Sequence, residues 1–384
     1  MTKEQSLKIL LLANTDWYLA NFRLPLIRSL IREGYEVVLV TPPGRFQSQL
    51  RRSGAKIREI ALSRGFSGFW QELKSIYALV KIYSDEKPDL VHHFTLKCIV
   101  YGGFAVKLTR CKFRVSSFTG LGYLFTSGRI WSVFPKAFVL FALRFVHSSR
   151  CSRVIVQNED DRDYVLAKRI IPPKSCVLIP GSGVNTIEFS PSIRQVKNGS
   201  EVVILMAARI LRDKGVLEYF EAARLVKKRH RGSPIKFVLA GNIDQGNPST
   251  ISKKELEKLI AQGDVDYVGH RDRIQELLAI SDIVVLPSYR EGLPRIILEA
   301  LSCAIPVIGS DVPGIRDIIS DGETGLLVPA KDSKRLAEAI GTLSHNRQLR
   351  EKLGSAGRDS IHSEYDEESV VQKTWNVYAE LLGS

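Results

Sequence analysis

Short apolar runs alternate along the whole chain with longer segments in which apolar residues recur every three or four positions. The runs predict strands and the longer segments predict helices. The predicted strands are residues 7–13, 36–41, 56–60, 90–94 and 154–157, followed by 202–207, 235–240, 266–269, 282–286, 306–309 and 325–328. Strands that alternate with helices favour a parallel sheet covered by helices on both faces. Ligands of such sheets bind beyond the carboxyl ends of the strands.

Helical patterns fill most of the segments between these strands. They are predicted at residues 18–32, 69–84, 216–230, 274–280, after Pro294, and at 334–384. A further apolar segment, Ile130–Val146, is interrupted by Lys136 and Arg144. It is either a core helix of the first domain or a helix that lies in a membrane interface, with its two cations reaching the headgroups. The pattern alone leaves both interpretations open.

The periodicity lapses between residues 178 and 199, where glycine, proline and serine cluster. A chain of 384 residues is long for one core, so we expect two domains. We place the first domain at residues 1–190, the second at 191–365, and a C-terminal helix at 366–384 that packs back on the first domain. The expected fold class is α/β, with two Rossmann-like domains that each contain a parallel sheet.

The net charge of +14 belongs to the first half of the chain. Residues 1–190 contain 28 of the 55 Lys and Arg residues but only 14 of the 41 Asp and Glu residues, which leaves 27 of each sign for the second half. Between Asp89 and Glu159 there are ten basic residues and no acidic one. The positive electrostatic field of such a segment favours an anionic partner. The candidates are a membrane surface, a phosphorylated lipid and nucleic acid. The alternative, a solubilising surface, normally mixes both signs.

Several other signals narrow the class of protein. Five scattered cysteines without a CxxC pair favour reduced thiols over a disulfide framework or a zinc site. Asn14 and Asp16 close the first apolar run, which therefore predicts a strand and not a signal peptide, and no run is long enough to span a membrane. The phosphate-loop, nucleophile-elbow, HExxH and RNA-binding aromatic motifs do not occur. We expect a cytoplasmic protein with no metal site and no nucleic-acid partner.

Two glutamates stand out in the stretch PSYREGLPRIILEALSCAIPVIGSDVPG. Glu291 follows a predicted strand, and Glu299 lies eight residues later, inside the helix predicted after Pro294. A largely helical spacing of eight residues spans about 12 Å, close to the distance between the two hydroxyl-rich ends of a nucleotide sugar. Backbone N–H groups at the helix start can meet a diphosphate between those ends. A solvated helix with ordinary surface charges is the alternative.

Further candidates follow other predicted strands. Arg209 and Lys214 lie after strand 202–207, beside a helix N-terminus where a diphosphate would be held, although two solvated cations are the alternative. A glycine-bearing loop, FTGLGY, lets the backbone approach a ligand closely. The candidates of the first half are Asn14, Arg23, His92, His93, Lys97, Gly120 and Gly122. The two adjacent histidines are equally compatible with simple packing.

The glutamate stretch, with ARILRDKG before it and SDVPGIRDIISDGETGLLVP after it, resembles glycosyltransferase family 4. The members are retaining enzymes of the GT-B fold, which consists of two facing Rossmann-like domains. The resemblance implies that Glu291 binds the transferred sugar, that Glu299 binds the ribose, and that Arg209 and Lys214 stabilise the departing diphosphate. It also implies a UDP-sugar donor and no metal or redox cofactor. The remaining implied donor-binding residues are Gly292, Leu293, Pro294, Asn14 and Gly241.

The segments NFRLPLIRSL, HHFTLK and FTGLGY resemble bacterial transferases that extend undecaprenyl-diphosphate-linked sugars in O-antigen, capsule or N-glycan assembly, N-acetylgalactosaminyltransferases among them. This implies a polyprenyl-diphosphate-linked acceptor at the inner face of the bacterial plasma membrane. Arg23, Lys97, Gly120 and Gly122 would hold the acceptor or its diphosphate, and His93 is our choice for the histidine that faces the sugar. The first loop reads Asn-Thr-Asp where many members carry paired glycines, so its phosphate contacts stay open.

The implied reaction is front-face displacement with retention, in which the leaving diphosphate takes the acceptor's proton. Two alternatives remain. One is a family 4 enzyme that acts on a small phosphate or thiol-precursor acceptor, which the basic, aromatic-rich first half disfavours. The other is a non-enzymatic membrane or nucleic-acid binding protein, which the presence of both glutamates, Arg209 and Lys214 disfavours.

Overall fold

The computed structural model describes residues 6–63, 68–120, 136–149, 151–194 and 201–383. They form two compact units. Unit 1 runs to Ser182 and resumes at Glu368, and unit 2 runs from Gly183 to Glu367. Each unit is built on its own parallel sheet, so the α/β class and the pair of Rossmann-like sheets predicted from the sequence are confirmed.

The sheet of unit 1 has seven parallel strands in the order β3-β2-β1-β4-β5-β6-β7. The strands are β1 (Lys8–Leu12), β2 (Glu36–Thr41), β3 (Lys56–Glu59), β4 (Leu90–Phe94), β5 (Phe113–Ser117), β6 (Ser152–Val156) and β7 (Cys176–Leu178). The helices are α1 (Asp16–Phe22), α2 (Leu24–Arg32), α3 (Gln47–Arg52), α4 (Phe69–Glu86), α5 (Leu96–Lys107), α6 (Lys136–Val146), α7 (Glu159–Ala167) and the C-terminal α14 (Glu367–Leu382). Helices on both faces explain why β1 and β2 are nearly all apolar.

The sheet of unit 2 has six parallel strands in the order β10-β9-β8-β11-β12-β13. The strands are β8 (Val202–Ala207), β9 (Ile235–Ala240), β10 (Asp266–Gly269), β11 (Ile283–Leu286), β12 (Val307–Ser310) and β13 (Leu326–Val328). The helices are α8 (Val216–Arg229), α9 (Lys253–Ile260), α10 (Ile274–Ile280), α11 (Arg295–Ser302), α12 (Ser333–His345) and α13 (Arg347–Glu364). In both sheets the chain order reverses once, between β1 and β4 in unit 1 and between β8 and β11 in unit 2. The crevice beside such a reversal is where doubly wound sheets bind ligands.

The C-terminal helix completes the core of unit 1. Val377 and Leu381 of α14 pack in one apolar cluster with Ile9 and Leu11 of β1. The hydroxyl of Tyr378, also on α14, lies 2.5 Å from Nδ1 of His92 on β4. The prediction that the last helix packs back on the first domain is therefore confirmed.

One predicted helix, residues 18–32, is in fact two helices. Helix α1 ends at Phe22 and α2 begins at Leu24, with Pro25 in the first turn of α2. Proline has no N–H to continue the hydrogen bonds of α1, but it fits the first turn of a new helix. The sequence pattern also missed α5 and β5, which lie between His93 and the glycine-bearing loop.

The segment Ile130–Val146 falls only partly within the described residues, which include α6. Helix α6 buries Val139 and Leu143 in a core cluster of unit 1. Phe138, Phe141 and Phe145 lie on the exposed side. The helix therefore contributes to the core with one face and presents aromatic side chains with the other. Within the described residues, no helix is long and apolar enough to cross a membrane.

Removal of a buried side chain from α14 is expected to destabilise the protein. Leu381→Ala should lower the free energy of unfolding by about 2–5 kcal/mol, because it takes apolar surface out of the cluster and leaves a cavity. Urea unfolding followed by tryptophan fluorescence measures the change. Lys373→Ala, at an exposed position of the same helix, should stay within about 0.5 kcal/mol of the wild type. Equal effects of the two substitutions would contradict the anchoring of α14.

Candidate active site

The loops that follow β8 and β11 carry the main candidates of unit 2. These two strands pair in parallel beside the point where the strand order reverses, and their carboxyl ends lie at the same edge of the sheet. Arg209 and Lys214 follow β8, and Glu291 follows β11. The topology therefore brings these three side chains to the edge where α/β sheets bind their ligands.

Backbone contacts hold the two loops together. After β8 the chain makes a 3₁₀ turn, and Gly215 then begins α8 with a φ of +73°. A Cβ atom at Gly215 would lie 2.1 Å from the carbonyl oxygen of Pro287, so only glycine allows this approach. The N–H of Tyr289 donates to the carbonyl oxygen of Asp213 at 2.9 Å. These contacts place Lys214 beside the loop of Glu291.

Lys214 and Glu291 form an ion pair, with 2.5 Å between Nζ and Oε1. Both side chains are mostly buried. The N–H of Glu291 donates to the carbonyl oxygen of Pro313 at 3.2 Å. Gly314 packs against the backbone of Glu291, and a Cβ at Gly314 would come within 2.6 Å of the carbonyl oxygen of Glu291. The backbone of Glu291 is thus fixed by the neighbouring loop, and its carboxylate is held by Lys214.

Arg209 pairs with Asp244, with 2.7 Å between Nη1 and Oδ2. Its side chain remains 53% exposed, so a ligand at this edge could reach the guanidinium. Gly241 directly follows β9 with a φ of +151°, and a Cβ there would lie 1.8 Å from the carbonyl oxygen of Ala208. Only glycine fits this contact, which draws the loop after β9 against the start of the Arg209 loop.

Glu299 lies inside α11, as the sequence predicted. It is buried and pairs with Arg295, with 3.1 Å between Oε1 and Nη2. Burial raises the pKa of its carboxyl group, while the charge of Arg295 lowers it. Pro294 is the N-cap of α11, so the helix begins directly after Pro294, as the sequence predicted. Gly292 and Leu293 precede it, so their backbone lies at the start of this helix.

The structure corrects the prediction that His93 faces the sugar. His93 is fully buried, and its Nε2 lies 2.9 Å from the hydroxyl of Tyr83 on α4. Its ring fills the space beside Gly102 of α5, where a Cβ would come within 2.6 Å of Nε2. Burial and the charge of Arg114 hold its pKa well below the ordinary value. A neutral ring enclosed by two helices does not contact a substrate.

His92 is also enclosed. Successive residues of a strand point to opposite faces, so His92 and His93 lie on the two sides of the sheet. His92 contacts the hydroxyl of Ser117 through Nε2 at 2.7 Å, in addition to Tyr378. Both histidines are therefore packed inside unit 1, which was the alternative to a role in ligand binding.

The other candidates of unit 1 lie near the carboxyl ends of β1, β4 and β5. Asn14 is half-buried in the loop after β1. Arg23 is buried, donates to the hydroxyl of Tyr18 at 2.9 Å and stacks its guanidinium over the ring of Phe94. Lys97 pairs with Glu72 at 2.8 Å. These contacts engage both cations within the protein.

Two glycines were predicted to contact the acceptor. Gly120 has a φ of +107°, a conformation that favours glycine. Gly122 lies outside the described residues.

Sequence reasoning missed Asp244, the partner of Arg209. It follows β9, and the rule that ligands collect at the carboxyl ends of strands would have included it. Within the described ranges no group of three or more His, Cys, Asp or Glu side chains is arranged to hold a metal ion.

Two family models match the chain. A model described as glycosyl transferase 4-like matches residues 8–158, and one described as glycosyl transferases group 1 matches residues 191–360. The two matches follow each other along most of the sequence. The chain is a glycosyltransferase with domains of these two families. The enzyme therefore has the activity class that the glutamate stretch implied.

Solved structures resemble the enzyme over nearly its whole length. A glycosyltransferase from Rickettsia africae has a TM-score of 0.78 at 20% identity, covering 98% of this chain and 99% of its own. The Anabaena HepE protein, in complex with UDP and glucose, has a TM-score of 0.76 at 19% identity, covering 97% and 99%. At this level of sequence identity, the structural similarity shows a shared fold.

Two curated relatives align with the enzyme over most of their length. One, from Campylobacter jejuni, is the N,N'-diacetylbacillosaminyl-diphospho-undecaprenol alpha-1,3-N-acetylgalactosaminyltransferase. It is 29% identical over 373 residues, which cover 94% of this chain and 96% of the relative. The other, from Escherichia coli, is the UDP-Gal:alpha-D-GlcNAc-diphosphoundecaprenol alpha-1,3-galactosyltransferase. It is 24% identical, with 81% and 80% covered.

A pair of glycine substitutions tests the contact between the two loops of unit 2. Gly215 and Gly232 both have a positive φ, +73° and +85°, so alanine strains the backbone at either position. Only at Gly215 would the new Cβ meet another backbone atom. Gly215→Ala should therefore destabilise the enzyme by about 1–3 kcal/mol more than Gly232→Ala in chemical unfolding. Equal losses would show that the approach to Pro287 is not tight.

Proposed function

We propose that the enzyme transfers a hexose or N-acetylhexosamine from a UDP-sugar, with retention, to an undecaprenyl-diphosphate-linked sugar in the synthesis of a surface polysaccharide or glycan. The observation that carries the proposal is the Lys214–Glu291 pair beside the reversal point of the unit 2 sheet. A carboxylate for sugar hydroxyls and a cation for the diphosphate lie there side by side. The two relatives, whose names state lipid-linked acceptors, favour such an acceptor here.

Each polar group of this site has a role in the proposal. Glu291 accepts hydrogen bonds from hydroxyls of the donor sugar, and Glu299 accepts them from the ribose. Arg209 and Lys214 stabilise the negative charge that grows on the departing diphosphate. In the free enzyme both cations are paired with carboxylates, which keeps them oriented before the donor binds.

The reaction breaks the bond between the anomeric carbon and the β-phosphate oxygen. The acceptor hydroxyl forms its bond to the same carbon from the same face, and its proton passes to the leaving phosphate oxygen. The products are UDP and the extended lipid-linked sugar. The proposal assigns the protein orientation and charge stabilisation, and it includes no metal or redox cofactor.

We place the enzyme at the cytoplasmic face of the plasma membrane, because its lipid-linked acceptor resides there. Helix α4 supports this location. Trp70 and Tyr77 are 75% and 73% exposed and are spaced to share one face with Leu73. Lys74 and Lys81 lie close to the same face by spacing, so aromatic rings and cations occur together, as at interfacial helices. The basic excess of the first half favours anionic lipid.

UDP release from a panel of UDP-sugars, with and without an undecaprenyl-diphosphate-linked sugar, tests the function. We expect release with one donor, and only when the lipid-linked acceptor is present. Release with a soluble acceptor instead would leave a family 4 transferase and refute the lipid assignment. No release with any donor and acceptor, from a protein that also lacks saturable UDP affinity, would refute the proposed donor site.

Removal of the sugar-binding carboxylate should separate transfer from nucleotide binding. Glu291→Ala is expected to abolish transfer, a loss of at least about 10²-fold in kcat, because an interaction with the reacting sugar disappears. UDP affinity, measured by calorimetry, should change little. Glu323→Ala removes an exposed glutamate of the same unit and should leave both quantities unchanged. Near-normal turnover of Glu291→Ala would remove the central assignment.

The exposed face of α4 should contribute to membrane binding. Trp70→Ser with Tyr77→Ser is expected to reduce flotation with phosphatidylglycerol vesicles several-fold, because two interfacial rings are lost. Ile187→Ser is the matched control, since Ile187 is an apolar residue of unit 2 that is 87% exposed. Unchanged flotation of the double variant would show that α4 does not contact lipid.

A further inference from the structure

Unit 1 has a basic recess at the edge of its sheet opposite to the candidate site residues. The recess measures about 200 Å³. Arg114 belongs to it and lies near the start of β5, whereas the candidate site residues follow the carboxyl ends of strands. Sites for drug-sized ligands occupy about 300–1,000 Å³, so this space suits a small ligand. Its lining residues are Val106, Lys107, Cys111, Lys112, Arg114, Ser149 and Cys151.

Arg114 is a buried cation that the protein itself does not neutralise. The residue is 2% exposed, and Nη1 and Nη2 meet no hydrogen-bond acceptor within the described part of the chain. Nε makes a long contact, 3.4 Å, with the hydroxyl of Ser152. No carboxylate of the described residues forms an ion pair with this guanidinium. A buried charge without a partner is strongly unfavourable.

The neighbours of Arg114 do not supply the missing negative charge. Burial raises the pKa of the Cys111 thiol to about 12 and keeps the pKa of Tyr83 well above its ordinary value, so both stay neutral. His147 is neutral as well, since burial and the charge of Arg114 lower its pKa to about 3. Asp89 acts electrostatically on Cys111, but its Oδ2 already accepts a hydrogen bond from the N–H of Lys8.

Other groups around the recess add positive charge and hydrogen-bond donors. Lys107 and Lys112 line it and are exposed, so their ammonium groups are able to reach a ligand from solvent. Nζ of Lys107 lies 2.7 Å from the hydroxyl of Ser148. Ser149 offers a further hydroxyl at the lining. Among the described residues that line it, three cations and no carboxylate therefore surround a space of small-ligand size.

We propose that this recess binds a phosphate-type oxyanion, with the Arg114 guanidinium at its base and Lys107 and Lys112 at its mouth. Guanidinium and ammonium groups together bind tetrahedral oxyanions through charge-assisted hydrogen bonds. The anion supplies the acceptors that Nη1 and Nη2 lack. Free inorganic phosphate and the phosphate of an anionic lipid headgroup share this chemistry.

Calorimetric titration of the full-length protein with inorganic phosphate, at constant ionic strength set with chloride, tests the site. Saturable binding is expected, and Lys112→Ala and Lys107→Ala should each weaken it about tenfold by removing one charged donor. Lys174→Ala, at an exposed position of unit 1 that does not line the recess, is the control and should bind like the wild type. If the ligand is a lipid headgroup instead, free phosphate gives no binding heat. The two lysine variants then lose flotation with phosphatidylglycerol vesicles, and the control does not.

Arg114→Met separates a binding role from a structural one. It keeps a long apolar stem but removes the unpaired charge, so its Tm without phosphate or lipid should equal or exceed that of the wild type. Addition of the ligand should raise the Tm of the wild type and leave that of the variant unchanged. Absence of both phosphate binding and lysine-dependent lipid binding would overturn the proposal, whether or not Arg114→Met folds. A Tm rise of the same size in all variants and in Lys174→Ala would also overturn it.

Discussion

The candidate active site depends on the close approach of two loops, those that follow β8 and β11. Gly215 has no side chain, so the carbonyl oxygen of Pro287 can occupy the space where a Cβ would stand. This approach brings Lys214 beside Glu291, although the two residues are 77 positions apart in the chain. Gly314 and Gly241 allow similar approaches at the flanking loops. The polar groups are thus positioned by backbone packing that only glycine permits.

The ion pairs of the site also explain how charged groups remain at this edge without a ligand. Lys214 and Arg209 each face a carboxylate, so neither cation is left uncompensated when no donor is bound. In the proposed function a diphosphate becomes the anionic partner of both cations, and Glu291 turns to hydroxyls of the donor. Each cation then has a negative partner in both states, which costs less than burying a lone charge.

Much of this architecture could be predicted from the sequence, for a physical reason. Strands buried on both faces are largely continuous apolar runs, which is why β2, β8 and β9 have the predicted bounds. Strand β5 was missed because its sequence, FRVSS, contains a buried arginine and two serines. The environment of His93 could not be predicted from the sequence either. It depends on Tyr83 of α4 and Gly102 of α5, and not on the residues beside His93 in the chain. Local pattern predicts elements, whereas tertiary contacts decide which polar side chains face solvent.

The two units use positive charge in different ways. In unit 2 single cations are held in short ion pairs at one edge of the sheet, where partial burial limits screening by salt. In unit 1 the two cations predicted to hold the acceptor are already engaged, Lys97 by Glu72 and Arg23 by Tyr18 and Phe94. Attraction of unit 1 to an anionic surface must then come mainly from its many other basic residues acting together. Such a summed field is long-ranged and unspecific, and salt weakens it. In the proposed function, charge therefore brings the enzyme to the membrane, and the fixed geometry of unit 2 selects the donor.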